Sequence, residues 1–223
     1  MQSLSTKILA LVMFITIACV AKSATAAQPV RVACIGDSIT FGAGVRNHWV
    51  NAWPGQLQKM LGKHYKVANF GHSGATLLKD GDLPYWKTPE YKHSTAFKGK
   101  IVIIMLGTND TKAWNWKHHA HFVHDLVALV KHYQSLTTGV KVWLCLPPPV
   151  LKSSYGINEK NMVGGVIPDI KIVAAKLHLP IINVHDDMHH DPSLLQRDGV
   201  HPNAKGQHVM AEIIRRAILR SVR

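Results

Sequence analysis

Residues 101–107 read IVIIMLG, six apolar residues in a row closed by a glycine. A strand with one wet face alternates apolar and polar side chains, and this run has no polar face. It therefore suits a strand covered on both sides, in the middle of a parallel sheet. Four other short runs have the same character: Val30–Ile35, Tyr65–Phe70, Val142–Leu146 and Ile181–Val184. Helical patterns separate them. The last, from about Ala204, sets Val209, Ile213, Ile214, Ala217 and Ile218 on one stripe and leaves Arg215, Arg216 and Arg220 outside it. Strands alternating with helices predict a three-layer α/β/α sandwich around a five-stranded parallel sheet, with Ile101–Leu106 as central strand. No repeat, low-complexity tract or linker interrupts residues 28–223, which read as a single domain.

Residues 1–27 read as a secretory signal peptide. Lys7 precedes an apolar run from Ile8 to Val20, and Ala24, Thr25, Ala26 and Ala27 supply the small residues needed for cleavage near Ala26 or Ala27. The run falls short of the ~20 residues of a membrane-spanning helix, so export to the periplasm or medium is expected, with no stable membrane span. Lipid attachment at Cys19 is the alternative, although Thr16 stands where an aliphatic residue is usual. Beyond the leader only Cys34 and Cys145 remain, too few for a disulfide framework, and both read as buried core residues.

The 223-residue chain carries 26 Lys and Arg against 13 Asp and Glu, a formal net charge of +13. Lys7 and Lys22 leave with the leader, and the remaining excess favours anionic surroundings such as an acidic glycan or a headgroup surface. Diffuse solubilising charge explains it equally well. The basic residues are scattered, and an exported protein has little occasion to meet nucleic acid, so none is expected as a partner. Nothing in the sequence fixes an oligomeric state.

In open α/β sheets, ligands bind beyond the carboxyl ends of the strands. Here those ends read GDSITFGAG (36–44), GHSGATL (71–77), GTNDTKAWNW (107–116), PPPVLKSSYG (147–156) and HDDMHHD with RDGVHPN (185–191, 197–203). The first has the crowded glycines of a phosphate loop. Gly36 and Gly42 are not followed by a lysine, however, and Gly42-x-Gly44 is followed by Val45, Arg46 and Asn47, so neither phosphate fingerprint is met. The alternative is a turn that presents Ser38. Serine needs a neighbouring base, a group that orients that base, and donors for a developing oxyanion. Asp198 and His201 lie three residues apart, close enough to meet on one turn, and Asn109 brings a neutral amide donor to the end of the central strand.

Taken together, GDSI at Gly36–Ile39, NFGHSG at Asn69–Gly74, GTND at Gly107–Asp110 and DGVHPN at Asp198–Asn203 resemble the blocks of the SGNH hydrolases, also called GDSL esterases. The resemblance spans essentially all of residues 28–223 and implies their flavodoxin-like fold. It implies Ser38 as nucleophile, His201 as base and later acid, and Asp198 orienting His201. It further implies an oxyanion hole from the backbone N–H groups of Ser38 and Gly74 and the side chain of Asn109, with no cofactor. Gly71 is the other glycine open to the second block. Asp37 reads as a residue that holds the turn. A rival nucleophile is Ser73, because GHSGA (71–75) nearly matches a G-x-S-x-G elbow, although it lacks the final glycine.

The strings NFGHSGATLL, IMLGTNDTK and HPNAKG are most similar to exported bacterial carbohydrate O-acetylesterases, including those acting on sialate and hemicellulose. The expected substrate is therefore a small-molecule or glycan ester, with acetate as the acyl group. A lysophospholipase or thioesterase for longer acyl chains, an acetyl transferase, and a glycan-binding protein without catalysis are the alternatives. Trp86, Trp114 and Trp116 leave the strand ends on this edge and are candidate sugar contacts. Trp49 and Trp53 read as packing residues. The long segment Leu77–Lys98 is expected to shape the binding edge. On a helix drawn from Lys117 to Tyr133, His118, His121, His124 and His132 fall on a solvated face. No H-E-x-x-H or paired C-x-x-C is present, so no catalytic metal is called for, while HDDMHHD at 185–191 offers only adventitious zinc binding.

Overall fold

The computed structural model describes residues 28–220, so the expected leader and Cys19 lie outside the described residues. Five strands, β1 (Val30–Gly36), β2 (Tyr65–Gly71), β3 (Ile101–Met105), β4 (Lys141–Leu146) and β5 (Ile181–Asn183), pair in parallel in the order β2-β1-β3-β4-β5. Each lies within one residue of its expected bounds. β3 is central and buried along its whole length. The absence of polar residues in its sequence is what this position demands.

Around the sheet run α1 (Ser38–Phe41), α2 (His48–Asn51), α3 (Trp53–Leu61), α4 (Pro89–Phe97), α5 (Ala113–Trp116), α6 (Phe122–Leu136), α7 (Glu159–Asn161), α8 (Ile167–Lys176), α9 (Val184–His189) and α10 (Ala204–Arg220). Strand side chains alternate between two cores. Ala33, Ile35, Val102 and Ile104 pack with Leu126, Leu129 and Tyr133 of α6 and Ile170 and Val173 of α8. Val32, Cys34, Ile103 and Cys145 face Trp53 and Leu57 of α3 and Met210 and Ile214 of α10. These are the three expected layers. Cys34 and Cys145 are free and buried, and burial pushes both thiols well above their ordinary pKa. Among the described residues no helix is long and apolar enough to cross a membrane.

Three details depart from expectation. Trp53 is buried, but Trp49 is 67% exposed. The chain turns extended at Ala52, with ψ 157°, so α2 is a separate short helix and Trp49 does not share the buried face of α3. α6 begins at Phe122, after a short 3-10 turn at His119–His121. His121 and His124 are exposed, as expected of a solvated face, whereas His132 is half-buried. Its Nε2 lies 2.8 Å from Thr95 Oγ1 and its ring 5.0 Å from Tyr91, because α4 covers that end of α6.

The segment Leu77–Lys98 is fastened to the body and does not form a flap. Asp110 accepts hydrogen bonds from the N–H groups of Leu77 (3.0 Å) and Leu78 (2.8 Å), Asp125 from Lys79 N–H (2.9 Å) and Asn115 from Asp82 N–H (2.8 Å). Burial pushes the Asp110 carboxyl up to about 7, with the two N–H donors opposing the shift. A raised carboxyl pKa in the folded state contributes stability that is present below the ordinary value of 3.8 and lost as pH rises through about 7. Asp110→Asn removes that titration. Urea unfolding at about pH 5 and about pH 8 should therefore show a larger stability gap between wild type and Asp110→Asn at the lower pH. A gap independent of pH would contradict the assignment.

Candidate active site

The strand order reverses direction between β1 and β3, and a crevice opens beyond the carboxyl ends of these two strands. Ser38 follows β1 and begins α1, whose N-cap Asp37 accepts a hydrogen bond from Ile39 N–H at 2.9 Å. Asp37 is thus the turn-holding residue expected. Burial pushes its carboxyl up to about 6, with the Ile39 hydrogen bond and nearby His201 pulling the other way. Gly42, at φ 91°, closes the turn. A Cβ at Gly36 would overlap the side chain of Thr40, and one at Gly71 would overlap the backbone of Phe41. Both glycines therefore let neighbouring chain approach the serine turn.

Ser38 Oγ lies 2.9 Å from His201 Nε2, and His201 Nδ1 lies 2.7 Å from Asp198 Oδ2. Partial burial works against a charge on Asp198, but Val200 N–H (2.9 Å), the His201 ring and His201 N–H (3.0 Å) all donate to it. Together they hold the carboxyl below its ordinary value. An ionised carboxylate only accepts, so Nδ1 carries a proton and Nε2 is left to accept from the serine hydroxyl. The Asp198–His201 turn is braced from outside: Ser154 Oγ donates to Asp198 O (2.7 Å) and Leu151 N–H to Gly199 O (2.9 Å).

The N–H groups of Ser38 and Gly74 have no hydrogen-bond partner among the described residues. Gly74 sits at φ 85°, which favours glycine. Asn109 is buried, and its Nδ2 donates to Ala75 O at 3.1 Å, which ties the end of β3 to the Gly74 turn. The geometry brings Ser38, His201, Gly74 and Asn109 to one cleft of about 290 Å³. Gly71 does not line it. Ser73 does, but the imidazole in the cleft is bonded to Ser38.

Trp86, Trp114 and Trp116, the candidate sugar contacts, are not among the residues that line this cleft. Trp86 is half-buried, donates to Leu77 O (2.9 Å) and lies under the Lys79 ammonium. Trp116 is half-buried against the core and stacks on His119. Trp114 is half exposed, donates to Asp82 Oδ2 (2.8 Å) and packs against the backbone of Gly156. All three hold loops in place. The wall is made by Ala43, Lys112, Tyr155 and Ile157. Tyr155 is 65% exposed, adopts φ 56° and sets its ring edge-on to His201 with centroids 5.9 Å apart. Neither Lys112 nor Tyr155 stands out in the sequence; the one hint is the Tyr-Gly pair of a tight turn.

Comparison with known proteins places this geometry. The chain is 40% identical, over 206 residues, to an acetylxylan esterase of Xylanibacter ruminicola, covering 85% of this chain and 43% of that protein. It thus spans less than half the length of that relative. Among solved structures, a carbohydrate acetylesterase family member from Sinorhizobium meliloti superposes with a TM-score of 0.64 at 23% identity, over 84% of this chain and 96% of the other. An aryl esterase of M. smegmatis gives 0.67 at 22% identity, over 85% and 98%. At these identities the two structures share the fold. Residues 34–209 match the model of the GDSL-like lipase/acylhydrolase family, and the chain belongs to that family.

Proposed function

We propose that the protein is an exported serine esterase that removes acetyl groups from a carbohydrate through an acyl-enzyme on Ser38. The observation that carries this reading is the unbroken hydrogen-bonded chain from Ser38 Oγ through His201 to Asp198 beside two unpaired N–H groups. Ser38 Oγ attacks the ester carbonyl while its proton passes to His201 Nε2. Asp198 holds the imidazole in place and stabilises the imidazolium. The N–H groups of Ser38 and Gly74 and the amide of Asn109 receive the oxyanion. His201 then protonates the departing alcohol, and water, activated by the same imidazole, releases the acid. The small cleft suits a short acyl group, and the acetylxylan esterase relative supports a sugar acetate.

The wall of the cleft also supports a substrate preference. Lys112 is nearly covered, its side chain 12% exposed, and its ammonium lies 3.8 Å from Asp82 Oδ2. Asp82 already accepts from Trp114 and Asn115, so its charge is shared. A substrate carboxylate beside the ester would meet Lys112, in keeping with an acidic glycan.

Turnover of p-nitrophenyl acetate should exceed that of the butyrate and octanoate esters. It should vanish in Ser38→Ala, persist in Ser73→Ala, and fall by about 10²–10³ in kcat in Asn109→Ala. Preference for octanoate would move the substrate to a lipid or thioester, and no turnover would favour glycan binding without catalysis. Lys112→Met should lower kcat/KM for an acetylated uronic acid relative to a neutral acetylated sugar by about 1 kcal/mol, roughly fivefold. An unchanged ratio would remove the charge preference and leave the esterase reading intact.

A further inference from the structure

Helix α9 carries two histidines, His185 and His189, at i and i+4. That spacing sets both rings on one face, where they stack with centroids 5.6 Å apart. A third donor arrives from a distant segment: Glu159, the first residue of α7, lies with one carboxylate oxygen 2.7 Å from His185 Nε2. Ligand atoms of Glu159, His185 and His189 all fall within 4.8 Å of one another. None of the three lines the cleft.

We propose that Glu159, His185 and His189 form a divalent-metal site of the zinc class, separate from the active site. Two imidazoles and one carboxylate are a donor set zinc accepts, with water completing four-coordination at about 2.0–2.2 Å from each ligand. His185 is prepared as a ligand. Its Nδ1 donates to Asp186 Oδ1 at 3.0 Å, and Asp186 is itself held by Asn183 Nδ2 at 2.7 Å. Nε2 is hydrogen-bonded to Glu159 Oε1, so the metal takes the place of the Nε2 proton and parts these two atoms from their 2.7 Å contact, while the carboxylate behind Nδ1 fixes the tautomer a metal requires. His185 is buried and set, whereas His189 is exposed, so its ring is free to swing the remaining distance.

The site has a consequence for the loop that follows β4. The other oxygen of Glu159 accepts from Val150 N–H at 2.7 Å, and Ile157 and Tyr155, a few residues before Glu159, form the cleft wall. A metal bridging Glu159 to α9 clips this loop to the body of the protein. The clip is structural, and no step of ester hydrolysis passes through it.

Calorimetric titration of the chelator-treated chain with Zn²⁺ tests the site, with thermal unfolding followed in parallel. One tight zinc per chain and a rise in Tm are expected. His189→Ala and Glu159→Gln should each weaken binding about tenfold or more and abolish the Tm rise. His121→Ala, on an exposed histidine elsewhere, should bind as wild type. His189 is exposed, so its replacement leaves the fold in place, which circular dichroism checks. Absence of a stoichiometric zinc, or equal binding by His189→Ala and wild type, would overturn the proposal, whatever the fate of the esterase reading.

Discussion

The contact between Ser38 Oγ and His201 Nε2 joins residues 163 positions apart, and the rest of the architecture serves to hold it at 2.9 Å. The serine rides on the end of β1, which pairs directly with the central β3. The imidazole rides on a turn at the entrance to α10. Gln207 fastens the two together: fully buried, it accepts from Trp53 N–H at 2.7 Å and donates to Ile39 O at 3.1 Å. One amide thereby pins α10 to both the serine helix and α3. A buried amide of this kind is costly to leave unpaired, so the alignment of α10 is specified by hydrogen bonding as well as by packing.

Electrostatics divide the carboxylates near the site into two kinds. Asp198, partly exposed and receiving three N–H donors, stays charged and steadies an imidazolium. Asp37 and Asp110 are fully buried, and burial drives both upward toward the neutral form. The first kind acts beside the reaction. The second fixes turns: Asp37 sets the serine turn, and Asp110 ties the Leu77–Leu78 backbone to the segment after β3. Chemistry is thus confined to the small cleft beyond the carboxyl ends of β1 and β3, in which a preorganised set of donors acts strongly.

Much of this was legible in the sequence, for identifiable reasons. Strands buried on both faces leave apolar runs, so all five were bounded to within a residue. Asp198 and His201 share one turn, which makes their meeting a matter of local spacing. Ser38, Gly74 and Asn109 follow three different strands, and only their blocks, read jointly, relate them. Tyr155 escaped because the path of the 147–157 loop is set by remote contacts, such as Ser154 Oγ to Asp198 O, that leave no local pattern, and Lys112 escaped because a single lysine after β3 looks like any of the scattered basic residues. The packing of the tryptophans was not legible, because an aromatic on an edge loop reads the same whether it faces a cleft or its own loop. Trp116 is settled by its approach to Gly165, 49 residues further along the chain, and Trp114 by Gly156.

The central claim is that acyl transfer passes through Ser38. Rapid acid quenching during turnover of an activated acetate ester, followed by peptide mass analysis, tests it most directly. The account predicts a single acetyl group on the peptide that contains Ser38, appearing before the steady state and disappearing as substrate is exhausted. An acetyl group on Ser73, or steady turnover with no acylated serine at any time, would contradict it.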